Sequence, residues 1–274
     1  MKRISRVISF LVVFCLTFCS FFILGAQKPE AASGKTVYVM TRLVINDYDP
    51  DDDESIDMSK ATYTCSYDKK GLLKSSTMKT DDGKIKLKST FKYGKSSGLK
   101  SCKTKSYYKG KNLNVDTSKK FTVNSKGFVT KIKSYNEKGK VNASAKYTWN
   151  KKGILTRSRF YSEKGKLTET IKYTLNSDGS IKEEKHFKAS GKLDERIVYE
   201  TSGNVQTITE YDDDGDIDSK VIATFKNGRM ITMKEYDDDG KLKASAKFTY
   251  KKVKTTKKNH VKSQQSLITK LELL

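Results

Sequence analysis

Apolar and polar positions alternate with a period of two along most of this chain. After Gly139, Val141, Ala143, Ala145, Tyr147 and Trp149 alternate with Asn142, Ser144, Lys146 and Thr148. After Gly165, Leu167, Ile171, Tyr173 and Leu175 alternate with Thr168, Thr170, Lys172 and Thr174. After Gly240, Leu242, Ala244, Ala246, Phe248 and Tyr250 alternate with Lys243, Ser245, Lys247 and Thr249. Such alternation predicts β-strands with one buried and one solvated face. Between strands, glycines recur at positions 71, 83, 98, 110, 127, 139, 153, 165, 179, 191, 203, 215, 228 and 240. Many close a four-residue string that begins with Asn, Asp or Ser, as in Asn136-Glu-Lys-Gly139, Asn150-Lys-Lys-Gly153 and Asp237-Asp-Asp-Gly240. The first side chain accepts a backbone N–H two residues on, and the glycine supplies positive φ. This predicts a type I turn closed by a glycine bulge.

Successive turns must lie at opposite ends of the strands. From Gly127 to Gly191 the gaps run 12, 14, 12, 14 and 12 residues, so the true repeat is a hairpin of about 26 residues. Each unit has about eight strand residues, about 27 Å long at 3.4 Å per residue. The chain is therefore expected to be all-β. It reads as a long antiparallel meander of about 15 strands built from repeated hairpins, with an opening strand near Val37–Ile45. One side is apolar throughout, and open sheets rarely exceed about ten strands. The ribbon is expected to curl into a barrel-like or coiled sheet, with a two-sheet sandwich as the alternative. Aromatic residues stand four places before a glycine at Tyr67, Tyr135, Trp149, Tyr161, Phe187, Tyr199, Tyr211 and Tyr236. Stacked hairpins would turn them into columns, which read as core.

The ends depart from this rhythm. Lys2, Arg3 and Arg6 precede an apolar stretch to Leu24, followed by small residues at Gly25, Ala26, Ala31 and Ala32. That order is the grammar of a secretory signal peptide. Residues 1–32 are assigned to the signal and its cleavage region, 33–60 to the opening strand and an acidic loop, 61–254 to the hairpin repeats, and 255–274 to a basic tail. In the tail, Leu267, Ile268, Leu271 and Leu274 fit one face of a short helix. The expected location is secreted, at the cell surface.

The strings Tyr211-Asp-Asp-Asp-Gly215-Asp-Ile217 and Tyr236-Asp-Asp-Asp-Gly240-Lys-Leu242 resemble the tyrosine-aspartate (YD) repeats of large bacterial surface and toxin-encapsulating proteins. Tyr161-Ser-Glu-Lys-Gly165-Lys-Leu167 is similar to the MORN-variant repeats. The resemblance covers about residues 61–254 and implies strands wrapped into a shell. It is a likeness of strand-turn grammar and carries no activity.

Charge changes the picture more than composition does. The chain has 55 basic and 32 acidic residues. Residues 68–159 alone hold 26 basic against 5 acidic residues, a net of +21, while 160–250 hold 15 against 18, a net of −3. A field of that size concentrates anions near it. The expected anion-binding residues are Lys84, Lys86, Lys88, Lys103, Lys105, Lys131, Lys133, Arg157 and Arg159. Their expected partners are a wall polymer, an acidic glycan or a phospholipid head group, and not nucleic acid, which an exported protein rarely meets. A solvated lysine face that protects sheet edges is the plainer reading of the same residues. Two other functions stay open: an adhesive module for a protein partner, and a carrier enclosing lipid against the rolled apolar face.

Catalytic signals are missing from the sequence. His186 and His260 have no evident partner pattern, and there is no zinc-protease, nucleophile-elbow or phosphate-loop motif. No cofactor or metal is expected. Residues 210–218 imitate the spacing of a calcium loop, but Val221 stands where a bidentate Glu would be needed, so an ordinary turn is preferred. The acid-rich loop 47–57 is a slightly better calcium candidate. Cys65 and Cys102 are the only cysteines beyond the leader and form a candidate disulfide. In a meander they would lie three strands, about 14 Å, apart, and a bridge needs Cα atoms within about 7 Å.

Overall fold

Turn chemistry and alternation account for nearly all of the architecture in this computed structural model. The structure describes residues 36–48, 60–94, 98–113, 117–125, 128–151 and 153–254. The expected signal peptide, the acid-rich loop from residue 49 to 59, His260 and the expected tail helix lie outside the described residues.

The strands are β1 (Thr36–Asp47), β2 (Lys60–Tyr67), β3 (Leu73–Thr80), β4 (Ile85–Tyr93), β5 (Leu99–Tyr108), β6 (Lys111–Asn112), β7 (Thr117–Val123), β8 (Val129–Tyr135) and β9 (Val141–Trp149). They continue as β10 (Leu155–Ser162), β11 (Leu167–Leu175), β12 (Ile181–Lys188), β13 (Leu193–Ser202), β14 (Val205–Tyr211), β15 (Ile217–Lys226), β16 (Arg229–Asp237) and β17 (Leu242–Lys254). All pair antiparallel. β1 pairs with both β2 and β17, which closes a ring of 16 strands. The two-residue β6 extends β5 outside the ring, and β5 also pairs with β7. Closure removes the edges that a ribbon of this length would otherwise expose.

The turns follow the expected chemistry. At Asn136, the Gly139 N–H donates to the Asn136 carbonyl at 2.9 Å, and Asn136 Oδ1 accepts the N–H groups of Lys138 and Lys140. Twelve of the fourteen spaced glycines have positive φ. Gly98 does not, and Gly127 lies outside the described residues. At Gly153 a side chain would also have no room, because an added Cβ would stand 2.6 Å from Phe128 Cζ. A register shift accompanies most turns, as between Ser134 and Tyr135 or Phe160 and Tyr161.

From β8 to β14, successive turns reverse which face a given phase of the repeat occupies, and this corrects the expected aromatic columns. Trp149 and Tyr199 turn inward. Trp149 donates its indole N–H to the Val129 carbonyl at 2.7 Å, and Tyr199 packs on the core. Tyr135, Tyr161, Phe187 and Tyr211, at the ends of β8, β10, β12 and β14, face outward instead.

The inward face is apolar at two large clusters. One joins β1 to β13–β17 through Leu43, Ile208, Val221, Met233 and Phe248. The other joins β5 to β7–β10 through Leu99, Phe121, Ile132, Tyr147 and Leu155. Side chains such as Leu43, Ile132 and Met233 are almost wholly removed from water, which stabilises the fold by about 1.5–3 kcal/mol apiece. The outward face carries lysine, threonine and serine. This is the reverse of a transmembrane barrel, whose outside is an apolar band.

Cys65 on β2 and Cys102 on β5 are not joined by a disulfide. β3 and β4 lie between them, so the candidate disulfide is not formed. Strand spacing alone accounts for this.

Candidate functional site

The outer wall from β4 to β13 gathers the cations. Within β4 and β5, Lys88 faces Lys105, and Lys86 faces Tyr107 with its ammonium 5.6 Å from the ring centre. Lys103 sits on the same wall, facing Ser118. Further round, Lys131 faces Lys146 and Lys133 faces Ser144 across β8 and β9. Arg159 faces Lys146, and Arg157 faces Lys172. Eight of the nine expected anion-binding residues thus share one face. Lys84 does not: it lies in the β3–β4 turn and is tied to Asp82 at 3.0 Å.

Sequence reasoning missed a second set of cations, fixed by rings. Lys120, Lys146 and Lys172 stand 26 residues apart, one per hairpin. Their ammonium groups lie 4.9, 5.1 and 4.6 Å from the rings of Tyr135, Tyr161 and Phe187. Arg196 continues the series over Tyr211 at 4.1 Å. Such contacts are worth about 0.5–1 kcal/mol at exposed sites, and they hold the cation while leaving its charge uncompensated. Lys120, Lys131, Lys133, Lys146, Arg157, Arg159 and Lys172 make no ion pair among the described residues. The signal was legible in the 26-residue spacing of basic and aromatic positions. It was hidden by reading all the aromatics as core.

Inside, three cross-strand rows carry acids. Tyr147, Ser158, Ile171, His186 and Glu195 face one another in turn. Tyr173, Glu184, Ile197, Glu210 and Ser219 form the next row. Tyr199, Ile208, Val221, Glu235, Ala244 and Asp47 form the third. His186 has the partners the sequence did not reveal. Its Nδ1 lies 2.8 Å from Glu169 Oε1, and its Nε2 lies 3.7 Å from Glu184 Oε2. Burial opposes its charge, but these carboxylates outweigh burial and raise its pKa to about 10. Tyr199 donates to Glu184 at 2.7 Å, and Ser219 to Glu210 at 3.0 Å.

Farther along, toward Glu210 and Glu235, burial dominates over any cation. Burial, then the neighbouring Glu195, pushes Glu210 well above the usual carboxylate range, and burial also raises Glu195. Glu235 is 5 % exposed, and its Oε2 meets no hydrogen-bond partner among the described residues. Burial first, and then Asp47 and Asp218, raise its pKa to about 8. A carboxyl buried without a cation does best protonated.

No group of His, Cys, Asp and Glu able to hold a metal occurs among the described residues. At 210–218 the turn is an ordinary one: Asp212 Oδ1 accepts the N–H groups of Asp214, Gly215 and Asp216, and Asp213 binds Lys192 at 2.7 Å. The loop candidate at 47–57 lies outside the described residues beyond Tyr48.

No protein-family model matches the sequence, and no curated protein is similar to it. Solved structures similar to this chain include a porin-like protein from Bacteroides uniformis, 10 % identical over 77 % of this chain and 98 % of that one, with a TM-score of 0.42. A porin-like protein from Bacteroides vulgatus is also 10 % identical over the same shares, with a TM-score of 0.30. A DUF1329 family protein from Desulfovibrio piger is 8 % identical over 88 % of this chain and 94 % of that one, with a TM-score of 0.23.

Proposed function

We propose that this chain is a secreted, non-catalytic repeat barrel that docks an anionic component of the cell surface against its outer lysine-rich wall. The component is a wall polymer, an acidic glycan or a phospholipid head group. One observation carries the reading. On β7 to β11, cations face cations across strands, and none of those on the outer wall is neutralised by a carboxylate among the described residues. Like charges placed opposite one another destabilise a sheet. A solubilising surface would intersperse both signs; an anion-docking surface would not.

Docking of this kind is electrostatic and weakens with salt. Raising salt from about 0.1 M to about 1 M shortens the Debye length from about 10 Å to about 3 Å. Sedimentation of the protein with purified wall material, or with phosphatidylglycerol vesicles, should therefore fall steeply across that range. Binding indifferent to salt would contradict the reading and favour a protein partner instead.

A further inference from the structure

The cations of the outer wall form a continuous oblique track, and we propose that it is the groove-free seat of a flexible, linear, phosphodiester-linked polyanion. This rests on the anion-docking reading and narrows it. The track starts at Lys120 on β7, which faces Lys133 on β8. Two residues away on the same face of β8 stands Lys131, which faces Lys146 on β9, and Lys146 in turn faces Arg159 on β10. Two residues away on β10, Arg157 faces Lys172 on β11. Lys185 and Arg196 then follow straight across β12 and β13. There the track ends, because Glu183 lies 3.5 Å from Lys185 and 3.7 Å from Arg196.

Every step is either one strand across, about 5 Å, or two residues along, about 7 Å, and the whole spans about 30 Å. A polymer charged at every unit can match cations this closely spaced. A glycan charged once in two sugars would leave alternate cations unmatched. The wall belongs to a closed ring and is convex. A planar bilayer can touch such a wall along a few strands only, whereas a flexible chain can follow it round. Arg157 and Arg159 present forks that grip a phosphate through two hydrogen bonds. The rings at Tyr135, Tyr161 and Phe187 already carry cations, so they offer poor stacking for the bases of a single-stranded nucleic acid.

The test compares two variants of the full chain that each lose four positive charges. One removes the track's centre: Lys131→Gln, Lys133→Gln, Arg157→Gln and Arg159→Gln. The other removes the cations on β4 and β5: Lys86→Gln, Lys88→Gln, Lys103→Gln and Lys105→Gln. The probes are synthetic poly(glycerol phosphate), phosphatidylglycerol vesicles and single-stranded DNA. The track variant should lose about 30-fold or more in affinity for the polymer near 0.1 M salt. Its slope of log affinity against log salt should shrink by about 3, since each lost contact accounts for about 0.7. The β4–β5 variant should lose about threefold or less. Equal losses in the two variants overturn the track and leave anion docking standing. Vesicles bound as tightly as the polymer, charge for charge, overturn the assignment to a flexible chain, and DNA bound as tightly overturns its restriction to a phosphodiester chain without bases. Absence of salt-sensitive binding to every probe overturns the docking reading itself.

Discussion

The outer face of β7–β13 and the inner face of β11–β16 are two sides of one ribbon, and they treat charge in opposite ways. Outside, lysines and arginines face one another with solvent to screen them. Inside, carboxyls sit among Ile, Val and Tyr, and the barrel tolerates them by two devices. Near β12, His186 stands as a buried imidazolium between Glu169 and Glu184. Near β14–β16, where burial dominates over any cation, Glu210 and Glu235 hold their protons instead. Net charge counted along a sequence therefore misstates this half of the molecule. The −3 of residues 160–250 includes carboxyls that are neutral in the folded state, so the anion-attracting field is stronger than the count implies.

The largest way to break the comparison is to remove His186, the cation that stands among the acids of β11–β13. His186→Ala takes away the cation that faces Glu195 across β12–β13 and lies beside Glu169 and the buried Glu184. Removing one partner of a buried pair costs about 3–5 kcal/mol. Urea denaturation should show a loss of that size, whereas the outer substitution Lys131→Gln should stay within about 0.5 kcal/mol. Similar losses from the two would mean that His186 is in effect solvated and that the inside does not differ from the outside.

The pH dependence comes next. Glu235 rises from 4.5 unfolded to about 8 folded, and His186 from 6.5 to about 10. In both, the folded state binds its proton more tightly. Their contribution is complete below the unfolded value and drains away as pH climbs to the folded one. Glu235 therefore loses its share between about pH 4.5 and 8, and His186 between about 6.5 and 10. The charged groups around them are Asp47 and Asp218 for Glu235, and Glu169, Glu184 and Glu195 for His186. Asp82, Asp178 and the half-buried Asp213 shift the other way, but solvent screens them. Thermal melts should fall steadily from pH 5 to pH 9. A maximum near pH 8 would show that the inner acids are ionised.

Glu235→Gln sharpens the same point at one residue. The amide keeps the shape and cannot ionise, so the variant avoids the penalty that the parent carries above pH 4.5. With one pKa unit worth about 1.4 kcal/mol, a gain on the order of 2 kcal/mol is expected at pH 7–8, and little change at pH 4. A gain independent of pH would point to packing instead.

The sequence made one face of this contrast far easier to see than the other. Glycine spacing and the Asn/Asp/Ser turn starters gave the hairpins, because they act locally. The outer lysines were visible because they cluster along the chain. The curl into a barrel-like sheet was legible from strand number, but the choice of a closed ring over an open coil was not, since β1 meets β17 across more than 200 residues and no local rule selects which edges join. The inner acids were hidden by the bulges, which reverse the facing side at successive turns from β8 to β14. Yet a trace existed: Glu169 fills the gap in the apolar series Leu167, Ile171 and Tyr173, and Glu195 stands two residues before Ile197. Buried carboxyls at apolar positions were passed over because they break the pattern that located the strand.

The smallest expected effect tests whether the outer cations are held in place or merely present. Lys146 lies over Tyr161, on adjacent strands with the same geometry as the other hairpins. If the ring fixes the ammonium, Lys146→Ala and Tyr161→Ala should each cost little alone, and a double-mutant cycle should return a coupling of about 0.5–1 kcal/mol. Salt should diminish that coupling less than it diminishes polymer binding, because the pair is in direct contact and the polymer gathers charge over a distance. A cycle that closes to zero would make Lys146 a freely moving surface charge. The contrast would then be one of sign alone, with a rigid interior set against an outer wall that holds none of its charges in place.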